Sequence, residues 1–74
     1  MIKELDNVVL TVDLPEHGLK KGDVGTVVLL HGDKGYEVEF MTLGGETLTV
    51  VSLSRGKVRQ VGNREIAQAR KVTV

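Results

Sequence analysis

The residues able to do chemistry are few and scattered. His17 and His31 stand on either side of an apolar run, and Ser52 and Ser54 come much later in the chain. No glycine-flanked serine, phosphate-cradling glycine loop or HExxH spacing links them, the patterns that would align a nucleophile, a phosphate or a zinc ion. Glu37 and Glu39 alternate with apolar residues, so both project from one strand face. Paired carboxylates serve acid–base catalysis only where something shifts a pKa. No neighbour in sequence supplies that shift, and the pair reads as a solvated face. Asp13, Glu16 and His17 offer oxygen and nitrogen donors within one short loop. Three ligands without a fourth make a poor cage, so Asp13 is expected to accept local backbone N–H groups instead. The chain has no cysteine, which removes thiolate chemistry, disulfides and Cys-based zinc sites. No catalytic, cofactor or metal residue is assigned, and the chain reads as non-enzymatic.

Charge is the next clue. The formal net charge is zero, but residues 1–40 hold eight acids and four bases, and residues 41–74 hold two acids and six bases. Arg55, Lys57, Arg59, Arg64, Arg70 and Lys71 form a basic stretch in which Glu65 is the only acid. Arg55, Lys57, Arg59 and Arg64 are the candidate nucleic-acid surface, a stripe able to neutralise phosphates. Two features weigh against it. Tyr36 and Phe40 are the only aromatics, too few for a base-stacking platform. Lys57 and Arg59 are also expected to face Glu4 and Asp6 across paired first and last strands, cancelling much of the field. The acids Asp13, Glu16 and Asp23 suit a basic ligand. A groove for proline helices would need more aromatics than one tyrosine and no tryptophan. The candidate protein-partner surface is therefore Glu16, His17, Lys20 and Lys21 in one loop, the face near Tyr36, and the tail after Gly62.

These side chains must be positioned by strands. Seventy-four residues, 41% apolar and rich in valine and glycine, make one domain of sheet. A chain this short buries only about 60% of its unfolded surface. Period-two alternation marks a first strand over Asp6–Val12, with Val8, Leu10 and Val12 on one face. Leu14-Pro15-Glu16-His17-Gly18 interrupts it as one helical turn closed by Gly18, with Leu19 as the apolar anchor. Val24–His31 is the second strand. Gly25 leaves room there for a large ring or another backbone, and Val27–Leu30 is apolar enough to be covered on both faces. Tyr36, Val38 and Phe40 share one face of the third strand. Thr47–Leu53 is the fourth, with a register change near Val51, and Lys57–Val61 the fifth. Closing the sheet would remove its exposed edges. The fold predicted is all-β: a single small five-stranded SH3-like barrel over residues 1–61. A C-terminal extension over residues 62–74 forms a short helix capped by Asn63 and running through Ala69, an edge strand over Lys71–Val74, or a frayed tail.

Several stretches carry a family resemblance: Ile2–Thr11, the Leu14-Pro15-Glu16-His17-Gly18 turn with Leu19-Lys20-Lys21-Gly22-Asp23-Val24-Gly25-Thr26-Val27-Val28, Tyr36–Phe40, and Gly45-Glu46-Thr47. Over about residues 2–61 the chain resembles a family of short bacterial proteins known only as a domain of unknown function. The resemblance implies a stand-alone SH3-like or KOW-like barrel and no activity. Lys21–Val27 also looks like the short motif of ribosomal and transcription-factor barrels, which describes a turn geometry.

Met1-Ile2-Lys3-Glu4 runs straight into a charged segment, and no apolar run reaches the roughly 18 residues of a membrane span. A cytoplasmic protein is expected, without cofactor or membrane partner, as a monomer or homodimer. The function expected is a protein-interaction module, of adaptor, accessory or immunity/antitoxin-like type. The alternative is a KOW-like RNA- or DNA-binding barrel using the Arg55–Lys71 stretch.

Overall fold

Alternating apolar residues become five strands in the computed structural model, which describes residues 1–72. They are β1 (Asn7–Leu10), β2 (Val24–Leu30), β3 (Tyr36–Met41), β4 (Thr47–Leu53) and β5 (Val58–Gln60), all antiparallel in the order β4-β3-β2-β1-β5. A 3-10 turn at Arg55–Lys57 redirects the chain so that β5 returns to β1, pairing Val8 with Gln60 and Leu10 with Val58. The fold is all-β and barrel-like, in the strand order expected. β4 and β5 end the ladder, and no pairing joins them among the described residues. The sheet therefore curls around its core without closing.

The core lies inside that curl. Val8, Leu10, Val27, Val38 and Phe40 are almost wholly buried, and Tyr36, Val51, Leu53 and Val58 belong to the same cluster. Burying each such side chain is worth about 1.5–3 kcal/mol. The long loop after β1 contributes two more. Its 3-10 turn at Pro15–His17 ends on Gly18 in the left-handed region, φ 68°. Leu14 and Leu19 then exchange two backbone hydrogen bonds of 2.9 and 3.1 Å, which turns both leucines into the core.

Four expectations need correction. β1 is shorter than Asp6–Val12. The Thr11 amide and hydroxyl donate to the Lys57 and Gly56 carbonyls, which ends the ladder and leaves Val12 exposed. β2 is not covered on both faces. Val27 pairs with Val38 but Leu29 with Glu37, so Val28 is an extra residue in a bulge, and Val28, Leu29 and Leu30 are exposed. In β4 the register shift falls at Leu48, between the Phe40–Thr49 and Met41–Thr47 pairs, rather than near Val51. The extension forms a turn at Asn63 and Arg64 and no helix through Ala69. The edge strand proposed for Lys71–Val74 lies partly outside the described residues, and Lys71 and Val72 belong to no strand.

Candidate functional site

The extension runs back over the barrel as a strap, residues 61–72, held at two points. Near its start, Glu65 accepts from both terminal nitrogens of Arg59 at 2.8 and 2.6 Å and from the Gly62 amide at 2.5 Å. The Arg59 guanidinium and the Gly62 N–H hold the Glu65 carboxyl down at about 2. Near its end, Arg70 donates through Nε and Nη2 to the two carboxylate oxygens of Asp23 at 2.8 and 2.5 Å. Arg70 Nη2 also reaches the Gly18 carbonyl at 3.0 Å. Asp23 is ready for this contact because the Lys20 amide already donates to its Oδ2 at 2.8 Å, which fixes the turn before β2. Burial pushes the Asp23 carboxyl up, but the Arg70 and Lys20 hydrogen bonds and charges outweigh it and leave it below the ordinary value. Beside the Arg70 anchor lies a cavity of about 480 Å³. Leu19, Val24, Met41 and Leu48 contribute to its barrel wall, and Ala67, Gln68, Ala69 and Val72 to its strap wall. Volumes of this order are typical of ligand sites. Met41 is 46% and Leu43 93% exposed at its rim.

A second cluster joins residues that are far apart in sequence. Glu37 Oε2 accepts from the Ser52 hydroxyl and lies 2.7 Å from His31 Nε2, beside a cavity of about 310 Å³. Ser52 sits opposite Glu37 in the β3–β4 ladder, and His31 follows the end of β2. The Ser52 and His31 hydrogen bonds hold the Glu37 carboxyl below its ordinary value. A serine nucleophile needs imidazole as its immediate base, with a carboxylate behind the imidazole. Here the carboxylate lies between hydroxyl and imidazole and is a weakened base. The geometry is that of a charge-assisted surface network.

The predicted site residues fall in different places. Glu16, Lys20 and Lys21 are exposed and His17 is half-buried on the loop beside the Arg70 anchor. Asp13 accepts the Lys21 amide at 2.8 Å, as its loop position predicts. No group of three His, Cys, Asp or Glu side chains able to hold a metal occurs among the described residues. Tyr36 is not a surface residue. Its strand phase places it with Val38 and Phe40, and it packs in the core. Arg55, Lys57, Arg59 and Arg64 are exposed. The expected partners of Lys57 and Arg59 are wrong, because the β1–β5 register sets Arg59 beside Val9, well past Glu4 and Asp6. Its carboxylate comes from the strap instead. Sequence reasoning missed the pairing of Asp23 with Arg70, the Gly18 carbonyl, and the apolar cavity residues Met41, Leu43 and Leu48. The available signals were an acidic loop suited to a basic ligand and a lone glutamate in a basic stretch.

No helix among the described residues is long and apolar enough to cross a membrane. No curated protein and no solved structure matches the chain. A family model matches residues 4–60, from the turn before β1 to the last residue of β5, and leaves the strap outside. The chain belongs to the family described as "Domain of unknown function (DUF4926)".

Proposed function

We propose that the chain is a non-enzymatic protein-interaction module, of adaptor, accessory or antitoxin-like type, that receives its partner in the groove between barrel and strap. The observation carrying this reading is the apolar rim: Val24, Met41 and Leu43 stand exposed around a cavity of about 480 Å³ in a domain this small. Exposed apolar residues gathered at a cavity mark interaction sites more often than singly scattered ones do. The Glu37 network supports the non-enzymatic half. A carboxylate held below its ordinary value has little driving force to take a proton near neutral pH. The test is affinity capture with the full-length chain from a lysate of its source, run beside a Met41→Asp/Leu43→Asp variant. Both side chains are exposed, so the variant is expected to keep the wild-type circular dichroism and melting temperature. The wild type is expected to retain one protein in near-stoichiometric amount, and the variant to lose it by about tenfold or more. Equal retention by both proteins, or no retained protein at all, overturns the reading.

A further inference from the structure

The strap is a poor fit to the groove it covers. Residues 61–71 are exposed and Val72 is half-buried. Ala67, Gln68, Ala69 and Val72 line the cavity from the strap side, the two alanines with one side-chain carbon each, and they leave about 480 Å³ beside Leu19, Val24 and Leu48. The strap's hydrogen bonds to the barrel at this end come from one side chain. The planar guanidinium of Arg70 meets both oxygens of Asp23 and the Gly18 carbonyl, a set of acceptors that a lysine ammonium would not span. We propose that the strap is a built-in competitor occupying a site for an extended, arginine-bearing segment of a partner protein. The partner's guanidinium replaces Arg70 on Asp23 and Gly18, and larger apolar side chains at the positions of Ala67 and Ala69 fill the cavity. This rests on the protein-binding reading and names the partner's chemistry and its regulation. A second copy of this chain is the weaker occupant. Its strap brings the same alanines, gains no new contact, and competes with a tethered segment whose effective concentration is of order millimolar. Only a segment that fills the groove better displaces the strap.

The probes are two fluorescein-labelled peptides, the native Ile66–Val72 sequence and the same peptide with Ala67→Leu and Ala69→Leu, titrated by anisotropy against the full-length chain. Opening the latch with Arg70→Gln is expected to tighten binding of the dileucine peptide by about tenfold or more over wild type. The native peptide is expected to bind the same variant about tenfold more weakly than the dileucine one. Adding Asp23→Asn, which keeps an acceptor for the Lys20 amide, is expected to remove about tenfold of the gained affinity. A dileucine peptide carrying Arg70→Gln is expected to lose as much, and this arm stands even if the Asp23 variant fails to fold. Equal affinity of wild type and Arg70→Gln overturns the competitor, and indifference to arginine in the peptide overturns the partner's chemistry. Light scattering of the unlabelled chain at titration concentrations is expected to show a monomer. A dimer dissolved by the dileucine peptide would assign the groove to a second copy and overturn the partner assignment. Failure of the peptides with groove-dependent capture intact defeats this inference alone, whereas loss of groove-dependent capture defeats the protein-binding reading.

Discussion

Gly25 is fixed by what lies across the ladder from it. A Cβ at this position would stand 2.5 Å from Val38 Cγ1 and 2.8 Å from Phe40 Cε1, both core side chains with nowhere to go. Gly25→Ala is therefore expected to cost about 1–3 kcal/mol through forced repacking, although alanine is the milder residue in most strands. For a domain of this size each kcal/mol lowers the melting temperature by about 4–8 °C. Gly56→Ala is the control, because no atom lies within 4 Å of its Cβ position. Thermal unfolding followed by circular dichroism reads both, and a Gly25→Ala melting temperature equal to that of Gly56→Ala contradicts the packing argument. This residue was legible: a glycine opening an apolar strand advertises a close approach. Glu37 was not. Its alternation with Glu39 says only that it points outward, and its two partners arrive from β4 and from the loop after β2.

At the scale of the element, alternation located the strands well and misjudged what covers them. Tyr36, Val38 and Phe40 share one face as predicted, because β3 is regular up to its last pair, but that face is buried with Tyr36 in it rather than offered to a partner. Val27–Leu30 has the same apolar content, yet one extra residue at Val28 leaves all but Val27 exposed. The strap from Val61 to Arg70 carried no strand-like periodicity, and its far end is held by a pair of charges 47 residues apart. That origin gives it a pH dependence. Glu65 falls from an ordinary 4.5 to about 2 through Arg59 and Gly62. Asp23 is lowered despite burial, through Arg70 and Lys20. Groups with depressed values in the docked state favour docking above their undocked values and lose that contribution as pH falls through the docked ones. Docking is thus expected to be constant above the ordinary value of 4.5 and to weaken progressively from there down to about 2. The amide resonances of Ala67 and Ala69 report it, with Val38 and Phe40 as internal markers that the barrel remains folded. Release above about pH 5, or full docking at about pH 1.5, contradicts the latch.

Across the whole molecule, two of the six basic residues of the rear half are already paired in the fold. Asp23 takes Arg70 from the rear half, and Glu65, the lone acid of the basic stretch, takes Arg59. Counting positive residues along the chain therefore overstates the field available to phosphates. Arg55, Lys57 and Arg64 form no ion pair among the described residues, and they sit on the 3-10 turn before β5 and the turn that begins the strap. Three such charges without stacking aromatics are a weak footprint, because phosphate contacts contribute in proportion to their number. Single-stranded RNA titrated into the full-length chain is expected to bind negligibly at about 50 mM salt. Any residual affinity is expected to fall with salt at a slope no steeper than about −2, given about −0.7 per phosphate neutralised. Arg59→Ala is expected to leave it unchanged, since that guanidinium is already committed to Glu65. Tight binding with a steeper slope, lost together in Arg59→Ala and Arg64→Ala, would mean that RNA pulls Arg59 away from its carboxylate and the strap with it. The groove would then be a consequence of nucleic-acid binding, and the protein-partner reading would give way.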